Sequence, residues 1–169
     1  YSRIDCKSWD CRWCGPRKAA LVRRGIAAAA KEHGLNRFLT LTLDPAKCDR
    51  GEDLVGYIRG VWRKFRVYLK RRHGESVKFI AVLEEHKSGV PHLHVLVDRF
   101  IPQAWISEAW SALGGGRVVY IERVEDLAQI GWYLGKYLTK AMLLSSQRGV
   151  RRFTASRGIS VVPKQKGSG

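Results

Sequence analysis

The chain predicts an α+β fold in which helices pack on a sheet containing antiparallel strands, and three observations carry that expectation. Amphipathic helical runs and short β-rich runs alternate irregularly along the sequence. Two β-rich runs, Val77 to Leu83 and His92 to Val97, flank the turn-like link Lys87-Ser88-Gly89-Val90-Pro91 and read as an antiparallel hairpin. No repeat of solenoid length interrupts this pattern.

The elements follow in chain order. Pro16 to His33 is rich in strong helix formers, including Ile26 through Ala30, and Gly34 stops it. Phe38 to Leu43 alternates apolar residues with Thr before Asp44-Pro45, as a strand with one face in the core does. Leu54, Tyr57, Ile58, Val61, Trp62, Phe65, Tyr68 and Leu69 recur at helical spacing, and Arg59, Arg63, Lys64, Arg66, Lys70, Arg71 and Arg72 occupy the outer side. After the hairpin come a short helix over Ile101 to Leu113, the breaker Gly114-Gly115-Gly116, a strand over Arg117 to Glu122 and a helix from about Val124 to Leu144. Arg148, Arg151, Arg152 and Arg157 among Gly and Ser read as a basic, partly mobile tail. The expected division is a Cys-containing segment and helix over 1–36, a core over 37–147 and the tail over 148–169.

Composition narrows the function. With 169 residues, 45% hydrophobic and 27% charged, the chain has the size and make-up of one folded domain. No apolar run reaches the length of a membrane span, and no signal-peptide pattern opens the chain, so a cytoplasmic protein without a membrane partner is expected. The net charge of +16 is spread over most of the chain and favours a polyanionic partner, with nucleic acid first because bound cations release condensed counterions from phosphates. Charge alone also suits a merely soluble protein, so it names no reaction.

Chemistry enters at Pro91-His92-Leu93-His94. A strand of period two sends both imidazoles to one face, and Glu84-Glu85 at the end of the preceding strand would bring a carboxylate beside them. Two His and one carboxylate suit a divalent ion that keeps open positions for water and phosphate oxygens. An isolated His-x-His is more often a hydrogen-bonded pair, but here the intervening residues are apolar and the polar rings need partners. Glu84 and Glu85 point to opposite faces, and the turn register decides between them. His86 lies in the turn as a substitute ligand, whereas His33 and His73 precede Gly at helix ends and suit a C-terminal helix role.

A second constellation lies in Gly131-Trp132-Tyr133-Leu134-Gly135-Lys136-Tyr137-Leu138-Thr139-Lys140, which contains Tyr-x-x-Lys twice, offset by four. On a helix this stacks Tyr133 with Tyr137 and Lys136 with Lys140 on adjacent ridges. A phenol with an ordinary pKa near ~10 is a weak nucleophile at neutral pH and needs cations and an activated phosphate. Taken alone, such a helix is more often structural. Co-occurrence with the His pair in a basic chain raises the catalytic reading.

Together, Phe38-Leu39-Thr40-Leu41-Thr42, Pro91-His92-Leu93-His94 and Tyr133 to Lys140 resemble the three motifs of the HUH endonucleases, especially the two-tyrosine rolling-circle replication initiators of single-stranded DNA phages and plasmids. The resemblance runs from about Arg37 to Lys140. It implies a central antiparallel sheet with flanking helices, related to the ferredoxin-like arrangement, and Mg²⁺ or Mn²⁺ held by His92, His94 and a carboxylate, with Glu84 preferred to Glu85. It implies Tyr133 and Tyr137 as successive nucleophiles forming a 5′-phosphotyrosyl link, with Lys136 and Lys140 steadying phosphates. Arg63 and Arg66 are further DNA-binding candidates. The implied partners are single-stranded DNA at an origin and a host helicase and polymerase, in a bacterial or archaeal cell and on a phage or plasmid replicon; a transposase or a relaxase shares the chemistry. No Walker-type phosphate loop is present in the sequence to drive strand separation. From a different class, a non-catalytic nucleic-acid-binding module would use Trp62, Tyr68, Trp132 and the cations for stacking and phosphate contacts.

Cys6, Cys11 and Cys14 form Cys-x4-Cys-x2-Cys. Zn²⁺ is the sharper reading, with a fourth ligand from upstream of Tyr1 or from Cys48, since structural zinc sites have four ligands. Three reduced, partly buried thiols are the other.

Overall fold

The computed structural model describes residues 11–48, 53–144 and 153–161, with the backbone alone at Ala128 and over 138–144. The elements are α1 (Cys14–His33), β1 (Arg37–Leu41), α2 (Leu54–His73), β2 (Phe79–Glu85), β3 (Pro91–Val97), α3 (Gln103–Ala112), β4 (Val119–Arg123), α4 (Leu127–Leu144) and β5 (Phe153–Ala155). The strands form one five-stranded sheet in the order β4-β1-β3-β2-β5, and every neighbouring pair is antiparallel. The α+β arrangement with helices around an antiparallel sheet is therefore observed.

Strand periodicity divides the core in two. One face of β1 and β3 presents Leu39, Leu41, Leu93, Val95 and Val97, which α2 and α3 cover with Ile58, Val61, Phe65, Leu69, Ile106 and Trp110. Phe65 and Ile58 are fully buried, each contributing on the order of 2–3 kcal/mol relative to exposure. The other face presents Phe38, Ile80, Val82 and Leu96 to α1 and α4. The sheet is thus a middle layer, and the helices on its two sides face different residues of the same strands.

Local chemistry explains the element ends. Asp53 caps α2 by accepting from the Gly56 N–H at 3.1 Å. β1 ends at Leu41, short of the expected Leu43, because the Thr42 carbonyl turns to accept from the Trp110 indole at 2.7 Å and from the Gly116 N–H at 2.9 Å. In the hairpin, Gly89 takes φ 80, a left-handed conformation, and its N–H donates to the His86 carbonyl at 2.9 Å. That turn sets the register in which Glu84 lies opposite His92.

Two expectations change. The stretch read as a basic tail contains β5, which pairs with β2, and Val161 beyond it packs in the α1 and α4 core with its carbonyl directly over Gly25. Too few apolar residues recur there to mark a three-residue edge strand in the sequence. Cys48 does not fold back onto the other cysteines: it packs against the α2-side core, whereas Cys14 opens α1 in the other layer. Cys6 lies outside the described residues.

The seating of α4 depends on close backbone approach. A methyl group built on Gly131 would lie 2.6 Å from the Arg23 carbonyl of α1, and one on Gly135 would lie 2.0 Å from the Arg23 side chain. Glycine at these two positions, one turn apart, lets α1 press against α4. The opposite ridge, carrying Tyr133 and Tyr137, is thereby set over the sheet.

Candidate active site

The antiparallel register brings the polar residues of three strands together. Thr40 of β1 pairs with His94 of β3, His94 pairs with Val82 of β2, and Glu84 pairs with His92, so these residues share the face that α4 covers. The ligand atoms of Glu84, His92 and His94 all lie within 4.8 Å of one another, the one such cluster of three among the described residues. Glu84 is 5% and His94 3% exposed, while His92 is half-buried at the open end. Glu85 pairs with Pro91 and falls on the alternate side of the strand, outside this cluster.

His94 is held at both ring nitrogens. Nε2 lies 2.7 Å from Glu84 Oε2, and Nδ1 lies 3.3 Å from Thr40 Oγ1. With Nε2 directed at the carboxylate, Thr40 is placed to orient the imidazole from behind, as partners of metal-binding histidines do. Adjacent ligand atoms on an ion at roughly 2.1 Å stand about 3 Å apart in octahedral geometry, so the Glu84 and His94 spacing suits a divalent ion. Two imidazoles and a carboxylate fit Mg²⁺, Mn²⁺ or a related cation while leaving coordination positions open. His86 is not in the cluster; it stacks on His92 at 5.0 Å and its Nδ1 lies 3.0 Å from Ser88 Oγ.

The tyrosine helix lies against this cluster. The Tyr137 ring stacks on His94 at 3.8 Å, and Tyr133 meets Tyr137 edge-on at 5.7 Å. Phe38 of β1 touches both systems, stacked on His94 at 5.6 Å and edge-on to Tyr133 at 5.2 Å. Burial holds the Tyr137 phenol well above its ordinary pKa, reinforced by a hydrogen bond to Tyr133 and by the negative charge of Tyr133, Glu84 and Glu122. As it stands, Tyr137 is a neutral phenol that needs a cation or a phosphate proton acceptor beside it to become a nucleophile.

Tyr133 is 48% exposed and opens onto a cavity of about 600 Å³ between the start of α4 and β4. Phe38, Ile130 and Trp132 supply its apolar lining, Glu122 and Gln129 supply hydrogen-bond acceptors, and Lys136 stands at the tyrosine end. Trp132 is 71% exposed and lies under the Arg23 guanidinium at 5.0 Å; Tyr120 on β4, opposite Thr40, is 54% exposed. Open aromatic rings therefore surround the tyrosine pair.

Of the residues singled out from sequence, the structure brings Glu84, His92, His94, Tyr133, Tyr137 and Lys136 together. The Lys140 side chain lies outside the described residues. Arg63 and Arg66 do not join them: they project from α2, on the other side of the sheet. Thr40, Phe38, Glu122 and Tyr120 belong to the site without having been assigned roles from sequence. The alternation in Phe38-Leu39-Thr40 marks a shared face, but nothing local says that β3 lies beside it.

An α+β sheet that presents a His-x-His pair and a carboxylate beneath a tyrosine-bearing helix defines a protein with a candidate divalent-metal site. Residues 36–142, more than half of the chain, match the model of the replication-associated protein ORF2 family, and the chain belongs to that family. It is also 28% identical over 137 residues to uncharacterized protein 1 of Halorubrum pleomorphic virus 1, an alignment covering 67% of this chain and 27% of the viral protein. The chain thus spans about a quarter of that relative's length. No solved structure matches it.

Proposed function

We propose that this chain is an HUH-type nicking and joining enzyme of the two-tyrosine kind, which cuts single-stranded DNA at an origin to start rolling-circle replication. The observation that carries the proposal is the 3.8 Å stacking of Tyr137 on His94, whose Nε2 is 2.7 Å from Glu84, because it puts a tyrosine pair beside a ligand cluster. Membership of a replication-associated family favours an initiator over a transposase or relaxase. The similarity to a viral protein agrees with a virus or plasmid replicon.

Glu84, His92 and His94 would hold Mg²⁺ or Mn²⁺, and the bound ion would polarise the scissile phosphate and favour departure of its 3′ oxygen. The tyrosine hydroxyl loses its proton and its oxygen bonds to phosphorus. The bond from phosphorus to the 3′ oxygen breaks, and that oxygen takes up a proton to become the free 3′-hydroxyl. The 5′ end stays attached to the protein as a phosphodiester, so the energy of the broken bond is kept for rejoining. A second tyrosine within ring contact can repeat the attack when the origin is regenerated, releasing the first end. Lys136, and Lys140 one turn on in sequence, supply cations for the phosphate charge, while the cavity beside Tyr133 receives a neighbouring base. Exposed Tyr120, Trp132 and Tyr133 offer stacking faces for an unpaired strand.

The test is a covalent-adduct assay with a labelled pool of single strands in Mn²⁺ or Mg²⁺. A shifted, protease-sensitive adduct is expected from the native chain. The double change Tyr133→Phe and Tyr137→Phe should lower it by at least about a thousandfold, since both attacking hydroxyls are then gone. An adduct that persists in the double variant, or forms equally in EDTA, would sink the proposal.

A further inference from the structure

The far side of the sheet carries a different kind of surface. All charged residues of α2 between Leu54 and His73 are Lys or Arg. Arg63, Arg66 and Lys70 lie along one ridge of that helix, facing a groove of about 420 Å³ whose opposite wall includes Ser156 and Arg157 just after β5. Among the described residues, no carboxylate lines the groove. Burial and the neighbouring Arg63 charge lower the pKa of the Arg66 guanidinium, which lies over the Phe79 ring at 5.2 Å. Cations crowded together in this way raise one another's energy, and a polyanion relieves that cost.

We propose that this groove is a second nucleic-acid site, which holds the phosphodiester backbone of a duplex while the tyrosine side holds an unpaired strand. The choice of duplex rests on the contrast in aromatic exposure. Around the tyrosines, Tyr120, Trp132 and Tyr133 are about half or more exposed, offering faces on which bases stack; in the groove, Trp62 and Phe79 are 5% and 4% exposed and offer none. Cations without open rings recognise backbone, which needs no unstacked base. From Arg63 to Lys70 the ridge runs roughly 10 Å, about the rise of three base pairs along one strand. A chain with one site on each face of its sheet is built to sit at a junction where duplex gives way to single strand.

This inference does not depend on nicking, because binding can be read in EDTA, where no cutting occurs. The experiment measures salt-dependent affinity of the native chain and of Arg63→Glu/Lys70→Glu for a blunt duplex and for a single strand of equal length. A charge-matched control, Lys31→Glu/Arg117→Glu, carries the same change at exposed positions outside the groove. Circular dichroism checks that all three fold alike. The groove variant should bind duplex at least about tenfold more weakly, with the salt slope reduced by about 2, and should bind single strand within about threefold of native. Equal losses in the control would make the effect one of net charge, and equal losses for single strand would remove the duplex assignment; either result overturns the proposal.

Discussion

The two faces of the sheet are made from the same strands yet do different work. Under α2 and α3, alternate residues of β1, β2 and β3 are all apolar, and they meet a continuous core containing Phe65 and Trp110. Under α1 and α4, the same alternation begins apolar at Leu96 and Val82 and ends polar at His94, His92 and Glu84. One face therefore concentrates stability, while the other gives up apolar contacts at one end to hold side chains whose chemistry needs them close and dry. A buried polar cluster is tolerable there because its members satisfy one another: Thr40, His94 and Glu84 form a chain of hydrogen bonds.

Breaking the polar face should give the largest functional effect. Glu84→Gln keeps the shape and an acceptor for His94 but removes the negative charge, so Mn²⁺ affinity should fall at least about a hundredfold with little change in melting temperature. Isothermal titration with Mn²⁺ and a thermal melt on the same sample check this. Thr40→Val removes the support behind the imidazole and should weaken Mn²⁺ binding by about 10–100-fold, less than loss of a ligand. If the Thr40 variant bound metal like the native chain, the orienting role of Thr40 would be gone.

Breaking the apolar face should reverse that profile. Phe65→Ala should cost about 3–5 kcal/mol in denaturant unfolding, since the ring is fully buried between α2 and the sheet, and should leave no site residue altered directly. Gly135→Ala tests the junction between the two behaviours. Its new methyl meets Arg23 of α1, so a loss of about 1–3 kcal/mol is expected, together with weaker adduct formation as α4 is displaced from His94. The smallest effect belongs to Glu85→Gln. Glu85 lies one residue from a ligand but on the alternate side of β2, so stability within about 0.5 kcal/mol of native and unchanged Mn²⁺ titration are expected.

Much of this contrast can be read from sequence where it depends on local period. A strand repeats every two residues, which already puts His92 and His94 on one face; a helix repeats every 3.6, which already puts Tyr133 and Tyr137 on one ridge. The hairpin, the helices and the polyanion-seeking charge follow from equally local patterns. The choice of Glu84 over Glu85 does not, because it depends on a turn in which Gly89 adopts a left-handed conformation and shifts every cross-strand pair at once. Thr40 as the partner of His94 depends on pairing between residues 54 positions apart.

Charge shows the same boundary. The cations of α2 and Lys136 are alike in the sequence, and both are natural candidates for one DNA surface. Tertiary structure separates them, because the chain crosses the sheet between α2 and α4 and leaves Arg63 and Arg66 on the opposite layer from Tyr133. β5 is a similar case, a short edge strand whose pairing with β2 no local pattern announces. The sequence by itself thus determined which residues share a face of one element, since backbone geometry sets that period. Only the tertiary structure decided which faces meet, since register and layer come from long-range packing and hydrogen bonding.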